Sequence, residues 1–330
     1  MKSDRFNVLD GWRGISILLV LAAHFLPLGP KPWHLNVGTG LLGMSLFFTL
    51  SGFLVTHFLI NHHETMDFLI RRFFRIVPLA WLYMALMFLV YPVPKEIWAA
   101  HFFFYANYPP KPLIPVTDHL WSLCVEIHFY IGIATLAMLF KRRGLQLIPV
   151  LCVAFTLLRV AYGMHYSVIT HFRVDEILAG ASLALIHNGK IGGGLRISLR
   201  GAHFPGLFLL LLISCHPDSG FMNYFRPYLA AATVGSTLFN PETRTAEFLG
   251  SRTLLYIATI SYALYVLHPF LAATWLGSGT GWEKYAKRPL LFAVLFVSAH
   301  ISTFYYEQRC IALGKRLSVK LRLIRAYELK

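Results

Sequence analysis

Apolar residues come in long unbroken runs along this chain, and the polar residues gather in short clusters between them. About ten runs are long enough to hold a helix: 12–28, 38–60, 74–92, 119–140, 145–162, 174–188, 204–215, 224–239, 253–275 and 289–308. The seventh is short. An aromatic stretch from Trp98 to Tyr105, bracketed by Pro92, Pro94 and Pro109-Pro110-Lys111-Pro112, is too short to cross a bilayer and reads as an interfacial or re-entrant piece. The pattern predicts an all-α fold: a polytopic transmembrane helical bundle of about ten spans.

Composition agrees, since 56% of residues are hydrophobic and 14% charged, too oily for a soluble domain of 330 residues. The net charge of +15 would suit nucleic acid only on a continuous polar face, and here the basic residues lie between apolar runs, so no nucleic-acid partner is expected. They read as topology signals. Arg71-Arg72, Lys141-Arg142-Arg143, Lys190, Arg196, Arg200 and the tail from Lys315 to Lys330 fall on one side if the spans alternate, which predicts both termini in the cytoplasm. Lys284, Lys287 and Arg288 run against the bias. The first run lacks a small-x-small cleavage pattern, so it is expected to remain as a span with Met1 as the mature N-terminus. With short loops and no internal repeat, residues 1–330 are expected to form one membrane domain without a soluble appendage. Cys124, Cys152, Cys215 and Cys310 are widely spaced and predict neither a disulfide framework nor a metal site. His62-His63-Glu64 is adjacent rather than at helical ligand spacing, so no metal is expected.

Ionisable groups inside apolar runs are costly and therefore mark function by default. Arg13 and His24 bracket ten residues of the first run, roughly 16 Å apart along a helix, which would set Arg13 near the cytoplasm and His24 near mid-membrane. An imidazole can act as a general base near neutral pH; a histidine hydrogen-bonded between helices is the plainer reading, and Arg13 could be a snorkelling anchor. Arg72 and Arg75 share a helical face and could grip an anion, or could simply signal topology. Glu126 needs a partner, with Arg173, Arg13 and His24 as candidates. Asp175 and Glu176 beside Arg173, and Glu307 with Arg309, could be interfacial ion pairs, and Tyr262, Tyr265 and His268 could be belt residues.

Several strings, in order, resemble the acyltransferase-3 family of polytopic membrane O-acyltransferases. Leu9-Asp10-Gly11-Trp12-Arg13-Gly14 with His24 resembles its opening motif, residues 43–54 its second-span signature, and Arg71-Arg72-Phe73-Phe74-Arg75 its third. His119-Leu120-Trp121-Ser122-Leu123-Cys124-Val125-Glu126 is similar to the tryptophan-serine-leucine box, Arg173-Val174-Asp175 to the Arg-x-Asp element, and residues 260–269 to the late serine-tyrosine motif. Ser45, Ile127-His128 and Gln308-Arg309 depart from the family pattern. The resemblance implies transfer of an acyl group, most often acetyl from cytoplasmic acetyl-CoA, to a carbohydrate or small hydroxylated acceptor beyond the membrane. A separate extracytoplasmic partner is possible, and a bacterial cytoplasmic membrane is the expected setting. It implies His24 and Glu126 as catalytic groups, Arg13, Arg72 and Arg75 on the donor, and Ser51, Trp121, Ser122, Arg173, Asp175, Tyr262 and His268 toward the acceptor. A transporter or proton path lined by Arg13, His24 and Glu126 is the rival, because buried ionisable groups mark such paths too.

Overall fold

The computed structural model describes residues 6–62, 64–110 and 113–328. His63 of the adjacent trio, Lys111 and Pro112 of the proline run, Met1, and Leu329 and Lys330 of the basic tail lie outside the described residues. Among the described residues fifteen α-helices follow one another: α1 Asn7–Phe25, α2 Leu35–Asn61, α3 Thr65–Val90, α4 Lys95–Phe102, α5 Trp121–Gly144, α6 Ile148–Ala161, α7 Val174–His187, α8 Gly193–Gly201, α9 Phe204–Cys215, α10 Arg226–Leu238, α11 Arg244–Leu249, α12 Arg252–Ala273, α13 Gly281–Ala286, α14 Arg288–Ile301 and α15 Gln308–Glu328. A π-helical stretch, Ser302–Glu307, joins the last two. No strand occurs among the described residues.

Every apolar run holds a helix, but only six helical segments are long and apolar enough to cross a membrane, or seven if α8 and α9, which meet at 98°, count as one broken span. Of the about ten runs expected to span, those holding α6, α7 and α10 form helices of 14, 14 and 13 residues, about 20 Å each, against a hydrocarbon core of about 30 Å. Prolines mark several starts. Pro149, Pro205, Pro227 and Pro289 occupy the first turns of α6, α9, α10 and α14, where a missing N–H leaves no helical bond unmade.

The chain divides into two compact units. The first holds Met1–His57 and Arg143–Ser261. Its core joins Leu9 and Trp12 of α1, Leu46, Leu50 and Phe53 of α2, and Leu183, Leu211 and Val234 of α7, α9 and α10. The Trp12 indole N–H donates to Thr237 Oγ1 at 2.9 Å, so the largest core side chain is also satisfied. Small residues bring helices together: a Cβ on Gly52 would lie 1.9 Å from the Ile177 carbonyl oxygen, and one on Gly180 1.9 Å from that of Thr49. The backbones of α2 and α7 thus touch through a reciprocal glycine pair, as small residues allow in membrane helices.

The second unit holds Phe58–Arg142 and Tyr262–Lys330. Here α3 packs along α15, with Gly314 seated on Phe74. Polar contacts bind the same pair: Arg71 reaches Ser318 at 3.4 Å, and Arg322 reaches Asp67 at 3.4 Å and Glu64, which caps α3, at 2.8 Å. Pro78 interrupts α3, and near it the Ile76 and Pro78 carbonyls accept from Tyr262 at 2.5 Å and Tyr306 at 3.3 Å. The aromatic stretch after α3 forms the eight-residue α4, packed on α3 through Trp98 and His101 against Phe88.

Candidate active site

In the first unit, α1 carries Arg13 in its second turn and His24 in its last. Because α1 begins at Asn7 and ends at Phe25, His24 is its second-last residue. Eleven residues at about 100° each amount to three turns and about 20°, so both side chains lie on one face of α1, roughly 16 Å apart. Arg13 forms an ion pair with Asp10 at 3.2 Å one turn back. His24 is exposed, and just beyond it the Asn36 amide donates to the Ala23 and Leu26 carbonyls at 2.7 Å each, closing the end of the helix.

Ser51 is buried in α2. Arg173 and Asp175 belong to a buried charge cluster that differs from an interfacial pair. Asp175 binds Arg159 of α6 at 2.5 Å, both side chains having no exposure, and also accepts from Thr156 at 3.1 Å. Glu176 takes Arg226 of α10 at 2.8 Å and lies 3.4 Å from Arg173, whose guanidinium sits 5.9 Å from the Phe48 ring centre. Tyr228 donates to Thr156, and Arg226 donates to Asn223 Oδ1 at 3.0 Å. Five charged side chains from the entry to α7 and from α6 and α10 are locked here without water-accessible surface. Sequence reasoning missed Arg159 and Arg226. The signal for Arg159 was available, an arginine inside an apolar run, and Arg226 lies near the start of the apolar run 224–239.

In the second unit, Arg72 and Arg75 lie in the second and third turns of α3, which begins at Thr65 rather than at the arginines. Arg75 is exposed. Arg72 is half-buried, 5.8 Å from the Phe68 ring centre and 5.7 Å from that of Tyr130. Tyr130 donates to Glu126 at 2.7 Å, so Glu126, buried in α5, has a hydroxyl four residues on as a partner. Arg72, Tyr130 and Glu126 therefore form one chain of contacts.

A second group surrounds the start of α5, where Trp121 stands. The Tyr265 hydroxyl donates to the His119 carbonyl, so its 2.6 Å contact with Ser122 must have the serine as donor. His268 donates through Nδ1 to the Tyr265 carbonyl at 2.6 Å, and its ring centre lies 5.2 Å from that of His119. Within α12, His268 is thus buried and Tyr262 half-buried. Glu307 accepts from Thr303 and Ser302 at 2.9 and 3.2 Å rather than closing a pair with Arg309.

The family model described as an acyltransferase domain matches residues 6–307. The chain belongs to the acyltransferase-3 family. Among curated proteins, this family member is 24% identical over 326 residues to the putative peptidoglycan O-acetyltransferase YrhL of Bacillus subtilis, covering 79% of this chain and 47% of that protein. It is 24% identical over 329 residues to the peptidoglycan O-acetyltransferase OatA of Listeria monocytogenes, covering 81% and 49%. A putative O-acetyltransferase of Staphylococcus aureus is 27% identical over 308 residues, covering 79% and 49%. The chain thus spans about half the length of the curated relatives it matches. No solved structure matches it.

Proposed function

We propose that this membrane acyltransferase moves an acyl group, acetyl in the simplest case, from cytoplasmic acyl-CoA to a hydroxyl of a carbohydrate or related acceptor on the extracytoplasmic side. The setting is a bacterial cytoplasmic membrane with both termini inside. The observation that carries the reading is the placement of Arg13 and His24 on one face of α1, about 16 Å apart, in a chain matched by the family model from residue 6 to 307. The relatives' printed names, peptidoglycan O-acetyltransferases, support a carbohydrate acceptor.

The donor supplies an acyl group activated as a thioester. Arg13 and Arg75 are assigned to its phosphates, Arg75 standing exposed on α3. His24 is accessible at the end of α1 and takes the proton from the acceptor hydroxyl as that oxygen attacks the thioester carbonyl; the carbon–sulfur bond breaks and the departing CoA thiolate takes up the proton. Alternatively His24 itself carries the acyl group, releasing CoA in the first half-reaction and passing the acyl group to the hydroxyl in the second. Glu126 acts through the hydroxyl that Tyr130 presents. Ser51, Trp121, Ser122, Arg173, Asp175, Tyr262 and His268 are assigned to the acceptor side. Hand-off to a separate extracytoplasmic partner is the alternative route for the acyl group. General-base help by His24 is worth about 10²- to 10⁴-fold.

The test is His24→Ala in proteoliposomes with radiolabelled acetyl-CoA. His24 is outside the core, so the variant inserts and folds as wild type while acetyl transfer and donor turnover fall to background. Transfer at the wild-type rate would remove His24 from the reaction. Solute flux without donor consumption would favour the transporter reading.

A further inference from the structure

The second unit contains a cavity of about 420 Å³ on the flank of α3, walled by Val77 and by Ile127 and Ile131 of α5, with Trp81 and Phe103 at its rim. Its size is that of a ligand pocket, for which about 300–1,000 Å³ is usual. The lining is almost wholly apolar, so a sugar or nucleotide would leave its own polar groups unsatisfied there. Phe103 is 76% and Ile131 56% exposed, so the cavity opens sideways, where a membrane span meets hydrocarbon.

One lining residue is charged. Arg72 stands at one end, its guanidinium held near the Phe68 and Tyr130 rings, and among the described residues it forms no ion pair. The rings fix its position without using its N–H donors. Nine residues of helix separate Arg72 from Trp81, about 14 Å along the axis, close to half of a hydrocarbon core of about 30 Å. A cation at one end and an apolar trough one leaflet deep match an amphiphile with an anionic head.

We propose that this cavity holds a hydrocarbon chain of an anionic phospholipid, taken laterally from the leaflet at the Arg72 end, with the lipid phosphate at the Arg72 guanidinium. This takes Arg72 out of the donor role that the family resemblance implies and leaves Arg13 and Arg75 to the acyl donor.

The experiment uses the full chain in nanodiscs containing a phosphatidylglycerol with a diazirine near the end of one acyl chain. Photolabelling maps to the peptides carrying Val77 to Trp81 or Ile127 to Ile131 and is displaced by excess phosphatidylglycerol but not by phosphatidylcholine. Ile131→Trp, on the exposed wall, cuts labelling several-fold with acetyl-CoA affinity unchanged. Arg72→Gln removes the preference for the anionic headgroup. Equal displacement by both lipids, labelling confined to other peptides, or displacement by a long-chain acyl-CoA at lower concentration than by phosphatidylglycerol would overturn the proposal; the last would assign the cavity to a donor's acyl chain. Because the readout is labelling, none of these outcomes bears on whether His24 transfers an acyl group.

Discussion

The buried charge cluster makes a sharp demand on stability. Arg159→Met keeps most of the side-chain bulk but removes the donors that Asp175 receives at 2.5 Å and that the Met164 and His165 carbonyls receive at 3.3 and 2.8 Å. His165 keeps a bond from Arg226 at 3.3 Å, and Asp175 keeps Thr156 and the Glu176 N–H at 3.1 Å each, so the principal damage is a buried carboxylate without its ion partner. Removing one member of a buried pair costs about 3–5 kcal/mol. At about 2–4 °C per kcal/mol for a unit of this size, the thermal midpoint falls by roughly 6–20 °C. Replacing both partners, Arg159→Met with Asp175→Leu, leaves no orphan charge and recovers most of the loss. The assay is the fraction of detergent-solubilised protein still monodisperse on size exclusion after heating. A single variant with a wild-type midpoint, or a double variant no more stable than the single, would refute the reasoning.

Further outcomes follow from other contacts. Gly52→Val places side-chain atoms where the Ile177 carbonyl stands, so α2 and α7 must separate; the yield of folded protein collapses, whereas Gly132→Ala, with nothing within 4 Å of its added Cβ, is tolerated. Arg75→Ala weakens acetyl-CoA binding about 10-fold or more, the scale of a lost charge-assisted hydrogen bond; unchanged affinity in calorimetry would take Arg75 out of the donor site. His101, in α4 beneath Thr117, is held below its ordinary value of 6.5 by burial. The unfolded segment then binds more protons than the folded one below pH 6.5, so local stability is full above that pH, declines as pH falls through it, and levels off once the folded ring is protonated. Hydrogen exchange of α4, corrected for intrinsic rate, accelerates on acidification in the wild type and not in His101→Gln; equal pH dependence in both would discard the assignment.

Helices were legible in the sequence because each apolar run is its own signal, and the prolines at 149, 205, 227 and 289 give several starts. Helix length was less legible: α6, α7 and α10 are apolar yet short, and apolarity alone does not separate a core helix from a crossing one. Residues of the candidate site could be picked out by their cost inside apolar runs, but not their partners. Asp175 reaches back 16 positions to Arg159, and Glu176 forward 50 to Arg226, although Arg173 is nearer to both in sequence. Sequence proximity finds one contact, Arg173 at 3.4 Å from Glu176, and misses the two shorter ones, because α6 and α10 flank the carboxylates.

That cluster also shows how a formal charge excess can stay buried. Three arginines, Arg159, Arg173 and Arg226, face two carboxylates, Asp175 and Glu176, and all five side chains are at most 1% exposed. An uncompensated guanidinium in such a place would be prohibitive. The excess is spread over neutral acceptors: Arg159 gives hydrogen bonds to the Met164, His165 and Asn223 carbonyls, Arg226 to Asn223 Oδ1 and the His165 carbonyl, and Arg173 adds the face of Phe48. Most of these acceptors belong to the loop after α6 and the turn before α10, so the cations fix loop backbone as well as carboxylates. On this account the arginines of the Arg-x-Asp region serve geometry before chemistry. They set the entry of α7 against α6 and α10, and through the Gly52–Gly180 contact the position of α2, so that the helix carrying Ser51 is placed by charges lying on other helices.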